Sequence, residues 1–170
     1  MNLQPTLIGK LLTLHPLKQE DFEDLYQAAS DPQIWTQHPK SNRHERAAFN
    51  VFFDEAMKTM GALVVIENSS KKIIGSSRYY NYDPKASEIT IGATFLERKY
   101  WGGVFNKEMK KLMISHALEF VDTIEFHLGS ENQRSQKALA KIGIKDFYIV
   151  NIKNENGSQK IHVYQVHKEP

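Results

Sequence analysis

The chain of 170 residues contains no cysteine. Disulfides, thiolate metal sites and a cysteine nucleophile are therefore excluded. Long apolar runs are also missing, since a stretch such as Ala62 to Ile66 is far too short to cross a bilayer. Met1 to Lys10 lacks a charged segment followed by an apolar one, so the expectation is a cytoplasmic chain with no secretory signal and no membrane partner. Neither sign of charge dominates: 22 Lys and Arg face 20 Asp and Glu, and the net charge of +2 makes no case for nucleic-acid binding. The His, Asp and Glu spacings form no metal site. No repeat, low-complexity tract or flexible linker divides the sequence. Hydrophobic residues at 41% suffice for one sizeable core, and charged residues at 25% argue against disorder. A single domain over residues 6–170 is expected.

Periodicity and turn signals predict the order β-α-α-β-β-β-α-β-α-β-β. Leu11 to Leu14 reads as a strand, and Phe22, Leu25 and Tyr26 share one face of a helix that Asp31-Pro32 ends. A second helix over about Arg43 to Met60 would present Ala47, Val51, Phe52, Ala56 and Met60. Strands follow at Leu63 to Glu67, Lys72 to Tyr80 and Glu88 to Leu96. Asn106 to Phe120 carries an apolar stripe including Met109, Met113 and Ala117. Ile124, Phe126 and Leu128 alternate with Glu125 and His127, as in a half-buried strand. Asn132 to Ile142 reads as a helix closed by Gly143, and a hairpin turning at Asn156-Gly157 ends the chain. The terminal strand, Ile161 to Val166, offers an edge on which a homodimer could form. Strands and helices mixed in this way predict an α/β or α+β sheet protein.

Two segments carry the chemistry. In the first, the strand Glu88 to Leu96 runs through Tyr100-Trp101-Gly102-Gly103 into the long helix. Adjacent glycines admit close approach of a ligand, and a helix start presents free N–H groups and the positive end of the dipole. The combination suits phosphate, with Arg98, Lys99, Lys107, Lys110 and Lys111 adding positive charge. Alone, it reads equally well as a tight turn beside a solvated basic face. In the second segment, the strand Ile124 to Leu128 leads through a polar turn to Asn132 and Ser135. Helix capping explains that pair by itself, and Ser130 with Gln133 could form a capping box.

In this order the two segments resemble the GNAT superfamily of N-acetyltransferases, specifically its ribosomal-protein-alanine N-acetyltransferase-like (RimJ/RimL-type) branch. The matching residues are Tyr100-Trp101-Gly102, then Asn132, Ser135 and Gly143, with Ile144 in place of a Phe. Leu11-Leu12-Thr13-Leu14, Pro16-Leu17 and Ile73-Ile74-Gly75 also fit, so the resemblance covers nearly the whole chain. It departs at Val104 and Asn106, where the superfamily loop carries small residues, and at Leu139, where many members carry a Tyr that protonates the leaving thiolate.

The resemblance implies a mixed, mostly antiparallel sheet of roughly six or seven strands, with a splayed parallel pair and about four helices. It implies acetyl-CoA as acyl donor and an amine-bearing acceptor, either a small molecule or a protein N-terminus. Pantetheine would bond the backbone of Thr94, Phe95 and Leu96. Trp101, Gly102, Gly103, Val104, Phe105, Asn106 and Lys107 would surround the pyrophosphate, with Asn132 nearby. Ser135 would be the thiolate acid, and Glu88 the base that removes the amine proton through water. Glu88, Thr90, Gly92, Thr94 and Leu96 share a face on spacing, and His127 is the runner-up base. Trp35, His38, Tyr79, Tyr80 and Tyr82 are candidate acceptor-lining residues. An acyl-CoA-binding sensor or interaction domain without turnover is the alternative.

Overall fold

The computed structural model describes residues 1–154 and 157–169. Its strands are β1 (Leu7–Ile8), β2 (Leu12–Pro16), β3 (Ala62–Glu67), β4 (Ile73–Asp83), β5 (Glu88–Leu96), β6 (Thr123–Gly129), β7 (Phe147–Asn154) and β8 (Gly157–His167). The α-helices are α1 (Phe22–Ala29), α2 (Arg46–Lys58), α3 (Val104–Ala117) and α4 (Gln133–Ala140). The strands form one sheet in the order β1-β2-β3-β4-β5-β6-β8-β7. Pairing is antiparallel except between β5 and β6. The eight strands exceed the expected six or seven. A two-residue strand such as β1 is too short to leave a periodicity, and it is held by pairing with Thr13 and Leu14.

Both faces of the central strands are buried, so β3 reads as a continuous apolar run. Leu63 and Val65 point into the core under α3, with Met109, Met113 and Ala117. Ala62 and Val64 point the other way, into the core that α1 and α2 build from Leu25, Phe49, Phe52, Phe53 and Ala56. The expected face of α2 is therefore displaced. The helix starts at Arg46, Phe49 and Phe53 join Phe52 and Ala56 inside, and Val51 and Met60 are 56% and 61% exposed.

Two further expectations change. The terminal strand β8 is not an edge, because it lies between β6 and β7 and pairs with both. The edge strand at that end of the sheet is β7. The cap of α4 is Asn132, whose side chain accepts from the Ser135 amide at 3.2 Å, so Ser130 and Gln133 form no capping box. At the other end of α4, Gly143 has φ 91°, and the Gly143 and Ile144 amides donate to Ala140 and Leu139. That pairing is a Schellman closure, the role its glycine predicts. The turn residue Asn156 lies outside the described residues.

Candidate active site

The central event is the separation of two parallel strands. Glu88, Ile89 and Thr90 pair with Thr123, Ile124 and Glu125, and the ladder then stops. From Ile91 onward the β5 edge facing β6 has no strand partner. The cause lies on the other side of β5. Arg78 pairs with Gly92, but Ser76 pairs with Phe95, so β5 carries one residue more than β4 across that interval. Ala93 takes φ 47° there. An extra residue bends the bulged strand and increases its twist, which steers β5 away from β6.

The bulge also reverses the side chains that follow it. Ile89, Ile91 and Leu96 belong to the core under α3, while Phe95 packs with Trp35 and Phe52 on the opposite face. Thr94 also faces α3, since its Oγ1 accepts from Lys110 Nζ at 2.7 Å. The single face expected for Glu88, Thr90, Gly92, Thr94 and Leu96 is thus divided at Ala93.

Between the parted strands lies a cavity of about 630 Å³. Thr94, Phe95 and Leu96 line it from β5, and Asn132 and Ser135 from α4. Trp101, Gly102, Gly103, Asn106 and Lys107 line it at the start of α3. Three predicted residues do not reach it. Val104 points outward at 59% exposure, and Phe105 stacks edge-on against Tyr100 at 4.8 Å. Glu88 sits at the closed end of the splay, where the strands are still paired.

The start of α3 fits an anionic group. No side chain caps its amides, and Gly103 occupies the cap position. Gly102 has φ 69°, the left-handed conformation that glycine adopts without penalty. Val104 needs no such backbone and begins the helix with negative φ, so its branched side chain does not obstruct the turn. A Cβ on Gly103 would find nothing closer than 3.9 Å, leaving open space over the amides. Lys141 Nζ donates to the Gly102 carbonyl at 3.1 Å, and Trp101 Nε1 donates to the Leu96 carbonyl at 2.9 Å. The Arg134 guanidinium lies 4.0 Å over the Trp101 ring.

On the sheet face opposite α3, β6 supplies a polar cluster. His127 Nε2 is 2.6 Å from Glu125 Oε2, while Tyr148 Oη and Gln165 Nε2 donate to Glu125 Oε1 at 3.0 and 2.9 Å. Burial raises the Glu125 pKa, but the three hydrogen bonds outweigh it and hold the carboxyl below its ordinary value. Glu88 lies two residues before Thr90, which is the register partner of Glu125. Burial, then the Glu125 charge, raises its pKa. His127 lines the cavity.

Trp35 and His38 line the cavity as expected. Tyr79 and Tyr82 do not. Tyr79 is fully buried under α3 and donates to the Met113 carbonyl at 2.8 Å, and Tyr82 packs beside Met1. Tyr80 lies across Gly92, whose missing side chain makes room for it. The sequence reading missed Glu125, Tyr148 and Gln165 as a unit, because only strand register brings them together. It placed Lys110 among the cations around the phosphate cradle, without reading the side chain as buried. Lys110 is in fact buried in the cavity wall, 5.2 Å over Phe126, with its pKa lowered by burial to about 7. Its position beside Met109 and Met113 was the available signal.

Among the described residues no group of three His, Asp or Glu is placed to hold a metal ion, and no helix is long and apolar enough to cross a membrane. The fold is shared by a GCN5-related N-acetyltransferase from Brucella melitensis, at TM-score 0.84 and 19% identity over 97% of this chain and 79% of that one. It is shared by Mycobacterium smegmatis RimJ in complex with CoA-disulfide, at TM-score 0.74 and 15% identity over 96% and 87%. It is shared also by the microcin C7 self-immunity acetyltransferase MccE in complex with acetyl-CoA and AMP, at TM-score 0.76 and 15% identity over 98% of each chain. No curated protein sequence matches the chain. A family model described as the acetyltransferase (GNAT) domain matches residues 12–145. With its bulged strand, parted parallel pair and glycine-opened helix, the chain belongs to the GNAT acetyltransferase family, whose enzymes use acetyl-CoA.

Proposed function

We propose that residues 6–170 act as one N-acetyltransferase domain that moves an acetyl group from acetyl-CoA directly to a primary amine. The observation that carries this reading is the continuity of one cavity. It joins the uncapped start of α3 to His127, and it passes the free edge of β5 on the way. Bound acetyl-CoA supplies an activated acetyl thioester and departs as a thiolate.

The protein's own groups divide the remaining work. Amides at the start of α3, with Asn106 and Lys107, hold the pyrophosphate. The unpaired edge at Thr94 to Leu96 bonds the pantetheine arm, and one of its amides donates to the oxygen that gains charge. The Glu125 carboxylate accepts from His127 Nε2–H, which leaves Nδ1 as the nitrogen that takes the amine proton. Glu88, further along the same sheet face, passes that proton outward through water. Ser135 Oγ protonates the thiolate. The Asn132 side chain already serves the Ser135 amide, so the Ser135 hydroxyl is not committed to capping.

Calorimetric titration with acetyl-CoA, followed by thiol release across a panel of amines, tests the reading. Saturable binding with amine-dependent thiol release supports it. Binding without release to any amine would instead leave an acyl-CoA-binding protein without turnover, and no binding would remove the cofactor role altogether.

A further inference from the structure

Two guanidiniums are buried on the face of the sheet that carries His127. Arg43, just before α2, and Arg78, in the middle of β4, are each 8% exposed. They lie over the same ring, 4.6 and 5.0 Å from the centre of Phe52, and Arg43 is also 5.5 Å from Trp35. Among the described residues neither has a carboxylate within ion-pair distance. Glu55, whose charge reaches both, is paired with Lys40 at 3.5 Å. Burial, then the Arg78 charge, lowers the Arg43 pKa to about 10, so both groups stay charged at neutral pH. Buried like charges without a counterion are costly.

The neighbouring imidazole sharpens the imbalance. The Lys40 amide donates to His38 Nδ1 at 3.0 Å, and Arg43 Nη1 stands 3.0 Å from His38 Nε2. A neutral imidazole has one accepting nitrogen. Whichever tautomer it takes, one of these contacts sets a donor against a donor. Protonation offers no escape, since burial, then the Arg43 charge, lowers the His38 pKa to about 4. Arg43 and His38 line the cavity that His127 lines; Arg78 does not line it, but shares the Phe52 ring with Arg43 and adds its charge behind it.

We infer that Arg43, with His38 and with the Arg78 charge behind it, forms the seat of an oxyanion, a carboxylate or phosphate, carried by the acceptor amine. The inference rests on the acetyl-transfer reading above. It makes the acceptor amphoteric, with its amine toward His127 on β6 and its acid toward Arg43, on the far side of the gap that opens between β5 and β6. Guanidinium forks match both kinds of oxyanion. Polyamines, which bring only positive charge, are disfavoured.

The test is calorimetry on CoA-saturated protein with matched probes: β-alanine against β-alaninamide, and O-phosphoethanolamine against ethanolamine. The expected result is that the acid member of at least one pair binds roughly tenfold or more tightly than its neutral partner. Selection within the first pair assigns a carboxylate, and within the second a phosphate ester. Arg43→Gln should abolish the preference and Arg78→Met should reduce it, and their CoA affinity reports whether they fold. Equal binding within both pairs, no binding of any probe, or a preference that survives in folded Arg43→Gln would overturn the inference. The wild-type comparison stands without the variants. Protein that binds CoA and acetylates amines but ignores the acid group loses the seat alone. Free protein that prefers the acid members but takes no CoA loses the transferase reading instead.

Discussion

Lys110 Nζ donates to Thr94 Oγ1 at 2.7 Å, and Thr94 Oγ1 is in turn 2.7 Å from Ser77 Oγ. The bond crosses from α3 to the bulged part of β5 and ties the wall of the cavity to its floor. It also keeps a lysine where its charge is poorly solvated. An unfolded lysine titrates near about 10.4, whereas burial lowers Lys110 to about 7. Between those values the unfolded chain holds more protons, so stability rises with pH across that window. The burden is full below about 7 and gone above the unfolded value. Lys110→Met should therefore stabilise the protein by on the order of 2 kcal/mol at pH 7, with the margin vanishing near pH 10. Melting temperatures of both proteins across that range check the direction.

Asn132 and Ser135 separate a structural role from a chemical one. Asn132→Ala removes the cap of α4 and should cost about 1 kcal/mol. Ser135→Ala keeps the capped amide and should leave the melting temperature nearly unchanged while lowering turnover. Equal turnover in wild type and Ser135→Ala would end the assignment of Ser135 as thiolate acid.

His127→Ala should lower kcat by roughly 100-fold or more with the CoA affinity intact. Glu125→Gln should lower it by less, because an amide in place of the carboxylate weakens the bond to Nε2. For Glu88→Gln the comparison is with His127→Ala under identical conditions. A larger loss in Glu88→Gln would return the base role to Glu88 and reduce His127 to a neighbour.

Gly102→Ala forces a side chain into the left-handed region and should destabilise by about 1 kcal/mol, with weaker CoA binding. Gly103→Ala meets nothing within van der Waals conflict, so its cost is the roughly 0.5–1 kcal/mol by which alanine is the poorer N-cap. Gly103→Pro deletes an amide from the cradle, so its CoA affinity should fall. Thermal melts paired with CoA titrations distinguish the three.

Much of the frame was legible because each element obeyed a local rule. β5 has the bounds its alternation predicts, Gly143 closes α4, and the Tyr100-Trp101-Gly102-Gly103 segment opens α3. What stayed hidden depended on relations between elements. Alanine carries no preference for positive φ, so nothing in the sequence marks Ala93 as the bulge. The face of α2 was misread because Ala47, Val51 and Met60 share its helical spacing, while packing against α1 selects Phe49 and Phe53. Glu125, Tyr148 and Gln165 come from three strands, and the alternation of one strand names only its own members. Arg43 and Arg78 carry no local signal, because only tertiary packing buries both over Phe52.

The cavity depends on a count rather than on a side chain. β5 spends three steps, Gly92 to Phe95, where β4 spends two, Arg78 to Ser76. Deleting Ala93 would bring the strands back into phase. Thr94, Phe95 and Leu96 would keep the faces they already hold, since the bulge absorbs the one extra residue. The straightened strand would regain a course along β6, closing the gap between them. A one-residue deletion thus erases a binding site whose chemical groups are all still present, whereas many substitutions along the same strand would leave the opening in place.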